Sequence, residues 1–175
     1  MNFEKKISKI FGLNKPEKWL KHANPYSLVT RIIVLPLLIF AIWSRIWIGW
    51  YSIFFISGLI IWLIINPTVF KKSIKIKSWW QKGVLGEYFW INKDNIPVLS
   101  HHIKFIKILM FLQGIGSFVL VVGLYKLNIC LTFIGTIIIY FAKLWFLDRM
   151  VWIYYEMKNL KEYKEIFKEI RGQNG

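Results

Sequence analysis

Apolar residues along this chain gather in two long blocks, each broken near its middle by a few polar positions. The first runs from Arg31 to Asn66. As a single helix those residues would be about 54 Å long, against about 30 Å of bilayer hydrocarbon, so the run is expected to fold back. Trp43-Ser44-Arg45, with Gly49 just after, is the polar interruption. The pattern predicts helices over 30–46 and 49–66, the first kinked at Pro36. Trp43, Trp47 and Trp50 bracket the turn, where interfacial aromatics belong. The second block predicts helices over 101–125 and 128–147, joined by a tight turn at Lys126-Leu127-Asn128, with Ser100 as N-cap.

The flanking segments have a different rhythm. Residues 1–23 are basic. Within them Phe3, Ile7, Ile10 and Phe11 recur at helical spacing between Lys5, Lys6 and Lys9, a pattern suited to lie flat on an anionic membrane face. Asn24-Pro25 reads as a break. The stretch 71–100 mixes lysines with Trp79, Trp80, Tyr88, Phe89 and Trp90. It is too short for its own core and reads as an interfacial connector. From 148 to 171 Ile153, Met157, Leu160, Phe167 and Ile170 share a face opposite lysines and glutamates, predicting an amphipathic extension of the last helix.

Composition sharpens this picture. The 175 residues are 56% hydrophobic and carry a net charge of +15. Disorder needs low hydrophobicity and is excluded. Of the 24 Lys and Arg, all but Arg45 and Lys126 fall outside the two short turns. By the positive-inside rule those turns face outward and everything else basic is cytosolic. The expectation is a cytoplasmic-membrane protein with four spans and both termini cytosolic. Its partner is a bilayer with an anionic inner leaflet, and nucleic acid is not expected. A second copy of the chain, or another membrane protein, stays open as a partner. One cysteine, Cys130, excludes an internal disulfide and a Cys-based zinc site. No cleavable leader is expected, because the first apolar run begins behind a long polar stretch.

Nine acids serve all these cations, so each can be weighed. Glu87, Asp148 and Glu156 lie away from the lysine-rich ends. His101 and His102 open the third long helix, and imidazole is a common metal ligand and acid–base group. Adjacent helical positions point about 100° apart, which disfavours both rings on one ion. The metal question and any cofactor therefore stay open. Asp148 is expected to meet a cation, with Arg31 as candidate, since a charge at a membrane edge is costly alone. Arg45 among three tryptophans suits cation–π or headgroup contact. Gln113, Gly114, Gly116 and Ser117 are expected to pack against Thr132, Gly135 and Thr136.

The strings AIWSRIWIGW (41–50), KGVLGEYFW (82–90), the His101-His102 pair and KLWFLDRMVWIYYEM (143–157) resemble a family of small prokaryotic integral-membrane proteins known only as a domain of unknown function. The resemblance covers roughly residues 24–157. It implies a multi-span membrane protein and no activity, substrate or cofactor.

The fold expected is all-α and polytopic, with four membrane helices in two hairpins and cytosolic interfacial helices. The candidate site is a polar, cytosol-facing cluster for a small molecule or lipid headgroup. Arg31, Glu87, Lys143, Arg149 and Glu156 would bind; His101, His102 and Asp148 would be catalytic if it is an enzyme. The alternatives are a non-enzymatic membrane scaffold or assembly subunit, and a metal-dependent membrane enzyme using the His pair.

Overall fold

The computed structural model describes residues 8, 10–11, 13, 16–73, 75–93, 98, 100–160 and 164. The expected N-terminal amphipathic helix, the turn at 94–97 and the far end of the C-terminal extension lie outside the described residues. Those described are helical, without strands. The elements are α1 (Pro16–His22), α2 (Pro25–Trp43), α3 (Arg45–Ile48), a 3-10 turn (Gly49–Tyr51), α4 (Ser52–Val69), α5 (Trp79–Ile91), α6 (Ser100–Tyr125) and α7 (Ile129–Met157). Three helical stretches are long and apolar enough to cross a membrane: Pro25–Asn66, Ser100–Tyr125 and Ile129–Met157.

The chain divides into two compact units. Unit one holds Met1–Arg31, Leu63–Leu99 and Leu147–Gly175; unit two holds Ile32–Trp62 and Ser100–Phe146.

In unit one, local sequence sets where each helix starts. Asn24 and Pro25 break the chain between α1 and α2, as expected, and they also begin α2. Asn24 Oδ1 accepts from Tyr26 N at 2.9 Å, and proline suits the first helical position because its missing N–H would have had no partner. α5 starts on a capping box. The Ser78 hydroxyl accepts from Gln81 N, and Gln81 Oε1 accepts from Ser78 N at 3.0 Å. Gln81 Nε2 also donates to Ser73 Oγ at 2.6 Å, which ties the preceding strap to the helix. Leu20 and Leu85 form a buried contact, with Ile76 and Tyr154 packed on it. Trp19, Phe89, Trp90, Met150 and Ile153 are buried around that core. Within the connector, α5 is thus a core helix of unit one. Its glycines allow close approach to α7. A Cβ on Gly86 would stand 1.8 Å from the Met150 carbonyl oxygen, and one on Gly83 2.5 Å from Leu147 Cδ1.

In unit two, the first apolar block turns at Ser44–Tyr51. Gly49 adopts φ +55°, which lets the chain reverse. Arg45, for which cation–π or headgroup contact was expected, bonds to backbone. Its Nη2 donates to the carbonyls of Leu124 (2.7 Å) and Tyr125 (3.1 Å). The last carbonyls of a helix lack internal partners and carry partial negative charge, so a guanidinium there satisfies both. α6 and α7 are joined by a turn in which Leu127 takes φ +52°. Asn128 Oδ1 accepts from Leu131 N at 2.9 Å and so caps α7. The two helices touch through glycines, as expected of small residues, though not all those expected. Gly116 faces Ile138, Gly135 faces Leu120 and Gly123 faces Thr132, whereas Gly114 meets open space. Ser117 and Thr136 instead bond back to carbonyls of their own helices.

Candidate functional site

Arg31 is the centre of the most connected polar cluster in unit one. Three of its five N–H donors are committed. Nη1 bonds to His22 Nε2, Nη2 donates to the His22 carbonyl at 3.0 Å, and Nε donates to the Ser27 carbonyl at 3.1 Å. The spacing follows from the helix break. His22 ends α1, Asn24-Pro25 turns the chain, and Arg31 sits one helical turn beyond Ser27 on α2. A guanidinium can only donate, so Nε2 of His22 must accept. The edge of the buried Trp19 ring holds that imidazole, their centroids 5.7 Å apart at 82°.

Glu87 on α5 brings a compensating charge that acts on Arg31. Beside it Tyr88 is buried, which pushes its phenol above the usual range and keeps it neutral. On the other side of Arg31, Ser27 Oγ donates to Asn66 Oδ1 at 2.7 Å, and Asn66 Nδ2 donates to Thr30 Oγ1 at 2.7 Å. Asn66 is fully buried. These two bonds join residues 36 and 39 positions apart, so the first apolar block has folded back on itself.

Arg31 and Glu87 were both expected as binding residues and stand together. Asp148, Arg149 and Glu156 also belong to unit one, but Asp148 is not the partner of Arg31. Its Oδ1 accepts from Trp79 Nε1 at 3.3 Å, and Arg31 is taken up by His22 and Ser27. The reason is proximity along the chain, since His22 and Ser27 lie within nine residues of Arg31. Arg149 lies 5.8 Å from the centroid of the Trp152 ring, and Glu156 is exposed on the last turn of α7. His101, His102 and Lys143 belong to unit two. The His101 and His102 rings lie 4.1 Å apart between centroids, His102 buried and His101 exposed. One ring nitrogen of each comes within 4.8 Å of the other's. The 100° argument therefore overstated their separation, because two χ angles bring the rings together. Lys143 lies over the Phe146 ring at 4.8 Å.

Sequence reading passed over His22 as a site residue. The signal was present: a histidine ending a short helix, followed by a break and then by an arginine nine residues on. Chemically, the cluster offers a guanidinium fixed by three bonds, a carboxylate near enough to act on it, and a histidine whose Nε2 is already engaged.

The described residues are helical, and among them three stretches are long and apolar enough to cross a membrane, which defines the class as a helical membrane protein. The chain belongs to the family of unknown function DUF6653, whose family model matches residues 2–166. The match takes in the basic N-terminal segment and much of the C-terminal extension, which the resemblance over 24–157 had left out. No curated protein and no solved structure matches the chain.

Proposed function

We propose that this chain is a four-span protein of the cytoplasmic membrane, with both termini cytosolic. On this reading the cluster of His22, Arg31 and Glu87 lies at its cytosolic border and binds an anionic small molecule or lipid headgroup. Several observations support the spans. α2 and α4 have 19 and 18 residues, about 28 Å each, which is near the hydrocarbon thickness. Trp47, Trp50 and Tyr51 are exposed at the turn between them, and Tyr125 is exposed beside the next turn. Such aromatics suit a membrane–water interface. Lysines crowd the other ends of these helices, which suits the anionic cytosolic leaflet.

The observation that carries the site is the immobilised Arg31. Its side chain is held by three bonds, which fix the guanidinium in place with two N–H groups left over to meet an anionic oxygen. Glycerol phosphate, a soluble headgroup fragment, is expected to raise the melting temperature of the purified wild type. It should do so much less for Arg31→Lys, which keeps the charge and loses the fork. No rise in the wild type leaves the cluster as an internal clamp. The scaffold reading then takes its place, favoured by the way Ser27, Asn66 and Thr30 satisfy one another.

The paired rings of His101 and His102 favour one further reading, a metal-dependent enzyme. Metal analysis of purified protein is expected, on that reading, to find a stoichiometric ion that is lost in both His101→Ala and His102→Ala. Metal-free wild-type protein that stays metal-free after incubation with zinc contradicts it.

A further inference from the structure

α2 runs from Pro25 to Trp43 with Pro36 inside it. A proline has no N–H, so the helical bond from residue 36 back to the carbonyl of Ile32 cannot form. That carbonyl is met from another helix. The Tyr140 hydroxyl, on α7, donates to it at 2.8 Å. We propose that Pro36 is a hinge in α2 and that Tyr140 is its latch, the phenol standing in for the missing N–H and holding α2 in one shape across the gap.

The choice of acceptor carries the argument. Pro36 takes the helical donor away from one carbonyl inside α2, and Tyr140 reaches that carbonyl from 108 positions along the chain. The hydroxyls of Ser117, Thr132 and Thr136 behave differently. Each turns back to the carbonyl four residues earlier, a bond that any helix offers. The proline also supplies the reason to bend. Its ring crowds the Ile32 carbonyl and disfavours the helical conformation of Leu35, so α2 is weakest here. Ile32 and Pro36 are exposed, and in a bilayer no water stands ready to replace the phenol. Opening the hinge therefore requires the latch to let go. Ile32, Pro36 and Tyr140 all belong to unit two. The inference rests on α2 lying in a bilayer, and not on the Arg31 cluster, so failure of the glycerol phosphate titration leaves it standing.

The test compares the full chain in phosphatidylcholine vesicles as wild type, Tyr140→Phe, Pro36→Ala and the double variant. Each carries Cys130→Ser, with spin labels on Ile33→Cys and Phe40→Cys, exposed positions on either side of Pro36. Dipolar broadening reads the spread of distances between the labels. Hydrogen exchange reads the amides of residues 37–40. In Tyr140→Phe the spread should widen, and exchange should quicken about fivefold, the factor for one net hydrogen bond. With Pro36→Ala already in place, Tyr140→Phe should change neither, because the alanine N–H then meets the Ile32 carbonyl. No change in Tyr140→Phe beside the native proline overturns the latch. Equal loosening in both backgrounds also overturns it, since the hydroxyl would then serve packing alone. Faster exchange without a wider spread overturns the hinge. Should Tyr140→Phe alone fail to fold, its recovery by Pro36→Ala is the expected result, and failure to recover overturns the proposal.

Discussion

Gly86 and Gly114 are the same residue type on helices of the same chain, and the structure gives them opposite consequences. A methyl group on Gly86 would collide with the Met150 backbone, so Gly86→Ala must push α5 away from α7. Overpacking of this kind costs about 1–3 kcal/mol. Gly114→Ala adds its methyl to open space and is expected to be neutral, or to stabilise by up to about 1 kcal/mol through helix propensity. Unfolding of the two variants in detergent, followed by circular dichroism, checks the difference; equal shifts contradict it. Nothing in the sequence separates these glycines, because a close approach is decided by the partner helix. His22 was obscured for a related reason. Its meaning comes from Arg31 folding back across Asn24-Pro25, whereas the adjacent His101 and His102 drew attention by being conspicuous.

Helix starts were legible where the signal was local. Asn24-Pro25 was read as a break and separates α1 from α2, whereas the Ser78–Gln81 box, also a sequence pattern with a known mechanism, went unread. Long-range ends were not legible. Arg45 caps a helix whose last carbonyls lie 79 and 80 residues further along the chain. No periodicity could have paired them, and the nearby tryptophans pointed elsewhere. Arg45→Met is expected to cost about 1 kcal/mol, a modest figure because the side chain is exposed. It should also speed hydrogen exchange at the amides of residues 122–128, which the cap restrains. Unchanged exchange there shows that the cap has no energetic weight. Of the amphipathic stretch expected over 148–171, the part up to Met157 continues α7 without a break.

At the scale of the molecule, the apolar blocks and the sorting of 24 cations were enough to predict an all-helical membrane chain. The polar cluster was only partly legible. Arg31 and Glu87 drew attention because charges near apolar runs are few, and each must be accounted for. The partner of Asp148 was misassigned, because the Trp79 indole N–H that donates to it leaves no charge signature in the sequence. The central claim is topological: the Lys126 turn lies outside and the lysine-rich ends lie inside. Cysteine accessibility tests it directly. In a Cys130→Ser background, Lys126→Cys and Lys158→Cys would be exposed separately to a membrane-impermeant maleimide in intact cells. Labelling of Lys126→Cys in intact cells, and of Lys158→Cys only after permeabilisation, is the predicted result. The reverse pattern, or labelling of both positions in intact cells, contradicts the account.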